Sequence, residues 1–89
     1  MEERETTVIN ETGLHARPAS DFVILAKKFE SKLWISKSGE AKEVDAKSIV
    51  HLLTLGVSQG TKIKIRAEGP DEAAAVASLI ALIDVGFEE

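Results

Sequence analysis

The 89-residue chain contains no cysteine. A disulfide framework and a thiolate metal site are excluded, and nothing points to an oxidising compartment. No apolar run approaches the roughly 20 residues that span a bilayer, so membrane insertion is not expected. Met1 to Glu5 are mostly charged, the opposite of a signal peptide's apolar core, and a cytoplasmic protein is the default expectation. Positive charge is not in surplus: 11 Lys and Arg face 15 Asp and Glu, for a net charge of −4. Direct binding of nucleic acid is disfavoured, because it rests on neutralising phosphates with Lys and Arg. Aromatics are scarce at 4%, and no pair of them sits on a strand as a platform for stacked RNA bases. The chain also lacks a Walker-type loop, a carboxylate pair of defined spacing, a Ser-His-Asp order and any internal repeat. No metal or cofactor is expected.

What remains is an ordinary globular composition, 44% hydrophobic and 29% charged, which argues against disorder. The length fits one domain, residues 1–89, with one modest core. Thr6 to Asn10 alternates as a short strand, and Glu11-Thr12-Gly13 reads as a turn. From Pro18 to Phe29, the residues Ala19, Phe22, Val23, Ala26 and Phe29 recur at helical spacing, with Pro18 in the first turn. Leu33 and Ile35 mark a second strand, which puts Trp34 on the opposite, open face. Ala41 to Ala46 is weakly alternating, with charges that suit an edge strand. Ser48 to Leu55 predicts one or two helical turns between a serine N-cap and Gly56. Thr61 to Ala67 is the clearest strand, with Ile63, Ile65 and Ala67 facing one way and Lys62, Lys64 and Arg66 the other. Gly69-Pro70-Asp71-Glu72 starts a last helix, running to about Val85, with Ala73, Val76, Ala77, Ile80 and Ile83 as its apolar face. The order β-α-β-β-α-β-α, with strands that alternate, implies an α+β two-layer domain with one wet sheet face.

Two histidines are present. His15 lies between a turn and a helix, in Gly13-Leu14-His15-Ala16-Arg17-Pro18, outside the periodic apolar set. A helix start offers free N–H groups and the positive dipole end, a natural seat for phosphate. A neutral imidazole has a nitrogen lone pair that can attack phosphorus, and Arg17, two residues on, can bond phosphate oxygens in a fork. Phosphoryl transfer requires little more than such positioning and electrostatics. On the residues alone, the alternative also stands: His15 as a helix-cap residue and Arg17 as a solvated charge. Ser48 reads as an N-cap, and a phosphate there would add nearly two negative charges without breaking the cap; the two readings are compatible. Ile49, Val50, Leu52, Leu53 and Leu55 are too many apolar residues for one face of so short a helix. Either some stay exposed as a docking patch or the helix lies deep in the core. His51 has no ligand candidates at metal spacing and reads as a surface residue. Trp34 suggests no function.

The stretch Asn10-Glu11-Thr12-Gly13-Leu14-His15-Ala16-Arg17-Pro18-Ala19 closely resembles the active-site signature of the HPr family, the histidine phosphocarriers of the bacterial sugar phosphotransferase system. Ala46-Lys47-Ser48-Ile49-Val50-His51-Leu52-Leu53-Thr54-Leu55-Gly56 resembles the regulatory-serine segment of that family, and the likeness runs along the whole chain. The resemblance implies an open-faced sandwich of four antiparallel strands with three helices on one face. It implies a carrier, not an enzyme: enzyme I, charged by phosphoenolpyruvate, phosphorylates His15 on Nδ1, and phosphohistidine then donates to A-type domains of the sugar-specific enzymes II. Arg17 would steady the phosphate. Ala16, Ser20, Ile49, Val50, Leu53 and Thr54 would form the docking patch, rimmed by Arg17, Lys27, Lys47 and His51. Ser48 matches the serine modified by HPr kinase/phosphorylase, whose product acts as corepressor for a catabolite-control transcription factor. A monomer is expected. The spacing from His15 to Ser48 is slightly long, with extra residues near Gly39 to Asp45; His51 stands where glycine or lysine is expected, and Ile24 where a basic residue is frequent. The competing readings are a regulatory adaptor working through Ser48 alone and a plain split β-α-β binding module. The presence of His15 disfavours the first, and the acidic charge disfavours an RNA-binding form of the second.

Overall fold

A computed structural model describes residues 1–88. The elements run β1 (Glu2–Thr7), α1 (Ala16–Ala26), β2 (Lys32–Lys37), β3 (Glu43–Asp45), α2 (Ile49–Leu53), β4 (Lys62–Glu68) and α3 (Glu72–Asp84), followed by a closing turn over Gly86–Glu88. The strands form one antiparallel sheet in the order β1-β4-β2-β3. The helices cover one face, α3 lying across β1 and β4 and α1 packing on both α2 and α3. The expected open-faced α+β sandwich is the fold observed.

Alternation explains the two faces. Leu33 and Ile35 of β2, with Ile63, Ile65 and Ala67 of β4, point into the core with Phe22, Leu52, Leu79 and Ile83 from the helices. Their neighbours form the other face, where charges pair across strands. Lys62 lies 3.7 Å from Glu5, and Arg66 grips Glu43 through two bonds of 2.9 and 2.6 Å. Arg66 also stacks on Trp34, its guanidinium carbon 4.2 Å from the ring centroid, and so reaches from β4 over β2 to the edge strand β3.

Several boundaries differ from the sequence expectation. β1 spans Glu2–Thr7, not Thr6–Asn10, because pairing with β4 decides it and an edge strand with polar residues on both faces carries no hydropathy signal. α1 ends at Ala26, where Lys28 N–H and Phe29 N–H turn back to the Leu25 and Ala26 carbonyls; Phe29 packs beyond the helix. β3 is three residues long, and the extra hairpin residues form the turn between Lys37 and Glu43. On α3 the buried face is Ala75, Val76, Leu79, Ile80 and Ile83, while Ala73 and Ala77 are exposed. A run of alanine and aliphatic residues is apolar all round and leaves the phase of burial to packing.

Candidate functional site

His15 is the N-cap residue of α1, exposed, with extended backbone (φ −133°, ψ 163°) and no side-chain cap bond. The chain arrives at it under tight control. Val8 N–H donates to the Thr61 carbonyl at 2.9 Å, Gly60 N–H to the Val8 carbonyl at 2.8 Å, and Leu14 N–H to the Val57 carbonyl at 3.0 Å. Gln59 Nε2 adds a 3.0 Å bond to the Ile9 carbonyl. Gly13 (φ +67°) is pressed against the backbone of Val57 and Ser58, where a Cβ would overlap both. No residue other than glycine fits there. Leu14 is fully buried, so the histidine emerges directly from the core.

Ala16, expected only as part of the docking patch, has φ +52°. A left-handed alanine costs on the order of 1 kcal/mol against the ordinary helical conformation. It is held between buried Leu14 and buried Pro18. Pro18, third in α1, lies in the first turn, where no intrahelical N–H is needed. The Arg17 side chain is 90% exposed and 3.9 Å from Asp21. With Pro18 and Asp21 it lines a groove whose far side is Leu82, Phe87 and Glu88. Ser20 on α1 and Lys27, its C-cap residue, are also exposed.

Ser48 is the N-cap of α2, and its Oγ accepts from His51 N–H at 3.3 Å. Of the apolar residues that follow, Leu52 and Leu55 are buried, whereas Ile49, Val50 and Leu53 are 38%, 68% and 44% exposed. The structure thus decides for an exposed patch on α2, beside α1. His51 is exposed; Thr54 Oγ1 donates to the His51 carbonyl at 2.6 Å and closes the helix. Lys47, expected on the rim of the patch, is half-buried, and its Nζ donates to the Phe29 carbonyl at 2.7 Å, tying the loop after α1 to the start of α2. Among the described residues no group of three His, Asp or Glu could hold a metal ion, and no helix is long and apolar enough to cross a membrane.

Two residues hold the loop before His15 in roles the sequence reading does not give. Asn10 is 5% exposed and donates from Nδ2 to the Gly13 carbonyl at 2.9 Å and to Thr12 Oγ1 at 3.2 Å. Gln59 bonds the loop from the other side. Away from the site, Asp71 accepts from Glu30 N–H and Ser31 N–H, both at 2.9 Å, fastening the far end of α1 to the start of α3. Only the Asn-x-x-Gly spacing, a turn signal, hints at the first.

The open-faced sandwich thus presents an exposed histidine at the start of a helix, and the helix packed against that one carries exposed apolar residues. The family model described as the PTS HPr component phosphorylation site matches residues 2–84. The phosphocarrier protein HPr of Vibrio cholerae is 43% identical over 84 residues, 94% of this chain and 96% of its own. That of Cupriavidus necator is 40% identical over 89 residues, 100% of this chain and 98% of its own. A crystal structure of HPr from Thermoanaerobacter tengcongensis superposes with a TM-score of 0.95 at 48% identity, covering 100% of this chain and 98% of that one. The chain belongs to the HPr family, the phosphocarriers of the phosphotransferase system.

Proposed function

We propose that His15 accepts a phosphoryl group from enzyme I and passes it to A-type domains of sugar-specific enzymes II. The observation that carries this reading is the setting of His15: exposed, extended, uncapped and rigidly presented, at the start of a helix that packs on α2 with its exposed apolar residues. A lone pair on imidazole Nδ1 attacks phosphorus as the bond to the donor breaks, and the electron pair of that bond returns to the donor. Arg17, long and exposed, swings onto the phosphoryl oxygens in a fork. Ile49, Val50 and Leu53, with Ala16, Ser20 and Thr54, form the docking surface for both partners, and Lys27 and His51 lie on its rim. Transfer returns His15 unchanged, so the protein is a carrier. Ser48 is a second, regulatory site for a serine kinase of the HPr kinase/phosphorylase type, with a catabolite-control transcription factor as reader of the modified form. A free histidine in this setting favours the carrier over the adaptor acting through Ser48 alone.

The test is incubation with enzyme I and phosphoenolpyruvate, followed by mass measurement. The expected product carries one phosphoryl group, lost in acid as a phosphoramidate is and a phosphoserine is not. His15→Ala keeps the fold and takes up none. Undiminished uptake by that variant overturns the assignment.

A further inference from the structure

Asn10 is a polar side chain that stands five residues before His15 and yet is 5% exposed. Its Nδ2 donates to the Gly13 carbonyl at 2.9 Å. That carbonyl belongs to the peptide group whose N–H is Leu14's, and this N–H donates to the Val57 carbonyl at 3.0 Å. The peptide plane between Gly13 and Leu14 is therefore held at both ends, one end by a side chain and the other by a distant loop. Gly13 N–H closes the same turn onto the Asn10 carbonyl at 3.2 Å. Beyond the plane come a fully buried Leu14 and then His15, whose side chain makes no cap bond. Ala16 on the other side sits at φ +52°, away from the helical minimum. The direction in which the imidazole leaves the surface is thus inherited from the backbone preceding it, and that backbone is fixed by the carboxamide.

Taking His15 as the phosphoryl acceptor, we propose that Asn10 is a positioning residue for phosphoryl transfer: its buried carboxamide holds the Gly13–Leu14 peptide plane that aims the His15 ring. A displacement of about 1 Å in a reacting group costs up to roughly 100-fold in rate, so a slackened plane is expected to show in the transfer step. It is not expected to show in docking, because Ile49, Val50 and Leu53 lie on another element.

The experiment measures phosphorylation by enzyme I at increasing concentrations of wild type, Asn10→Ala, Asn10→Asp, Asp71→Asn and His15→Ala, together with the melting point of each and the His15 ring resonances by NMR. Asn10→Asp keeps the size and turn preference of asparagine but puts an acceptor where the Gly13 carbonyl needs a donor; it serves even if the alanine variant fails to fold. Both Asn10 variants are expected to lose roughly tenfold or more in maximal rate, with the half-saturating concentration unchanged and the His15 ring resonances shifted. Asp71→Asn, destabilised at the opposite end of α1, is expected to transfer normally. The proposal is overturned by a maximal rate for Asn10→Asp within about twofold of wild type, under about 0.5 kcal/mol of barrier. It is equally overturned if Asp71→Asn slows transfer as much as the Asn10 variants do, since the loss then follows stability and not aim. Transfer to His15→Ala would instead remove the acceptor reading on which the proposal stands.

Discussion

Arg17 has the least restrained side chain of the site, 90% exposed and 3.9 Å from the Asp21 carboxylate one helical turn on. An exposed pair at that distance stabilises the fold by a few tenths of a kcal/mol at most, so the residue is free for the phosphate contact proposed for it. Arg17→Lys keeps the charge and removes the fork. One charge-assisted hydrogen bond at an exposed site is worth roughly 1.5 kcal/mol, so the maximal rate of His15 phosphorylation should fall about tenfold. Stability should change by less than about 0.5 kcal/mol. Rapid-quench kinetics with saturating enzyme I check this, and equal rates would make Arg17 an ordinary surface charge. His15 and Arg17 were legible in the sequence because they stand outside the apolar periodicity and next to a proline that marks the helix start. Asn10 was not, because its role depends on the Val57 carbonyl meeting the Leu14 N–H, a contact that only the folded chain makes.

Helix α2 is five residues long, too short to persist without its cap and the burial of Leu52. Ser48 Oγ supplies that cap, and Ser48→Ala should cost about 1 kcal/mol in urea unfolding. Ser48→Asp keeps an acceptor at the cap and should lose less. The same aspartate puts a negative charge beside the exposed Ile49, Val50 and Leu53. On the proposed function, an enzyme I that docks through an acidic surface would bring like charges together, which lose hydration on contact. Ser48→Asp should therefore raise the half-saturating concentration for enzyme I. True phosphoserine, with a charge of about −1.5 to −2, should raise it further, and added salt should weaken both effects. Identical saturation curves for all three forms would reduce Ser48 to a cap. Elements such as α2 and β4 were readable because a cap, a glycine stop or a strict alternation marks them. β1 was misplaced and the face of α3 misjudged for opposite reasons: Glu2–Thr7 has too little hydropathy contrast because it is polar, and Ala73–Ile83 too little because it is apolar.

The whole molecule divides its labour between two ends of α1. His15 lies at one end, and the loop after Ala26 is fastened at the other by the Asp71 carboxylate. Hydrogen bonds from the Ser31 side chain and the Glu30 backbone hold the Asp71 carboxyl below the usual carboxylate range. On the open face, the Arg66 side chain bonded to Glu43 does the same for that carboxyl. A carboxyl whose folded-state pKa lies below its unfolded value binds fewer protons folded than unfolded. Its contribution to stability is complete above the ordinary carboxylate range and is lost as pH falls through the lowered folded value. Stability should thus decline on acidification from about pH 5 downward, as both fastenings are protonated. Urea titrations at each pH can follow this through Trp34, the single tryptophan, which the Arg66 guanidinium covers. Asp71→Asn should be less stable than wild type at neutral pH, because an amide oxygen is a weaker acceptor than a carboxylate for the donors of Glu30 and Ser31. The difference should narrow in acid, where the wild-type carboxyl becomes neutral too. Glu43→Gln should show the same convergence, with Trp34 fluorescence altered already at neutral pH as the grip on Arg66 loosens. Curves of stability against pH that run parallel for wild type and both variants would show that neither carboxylate links the fold to pH.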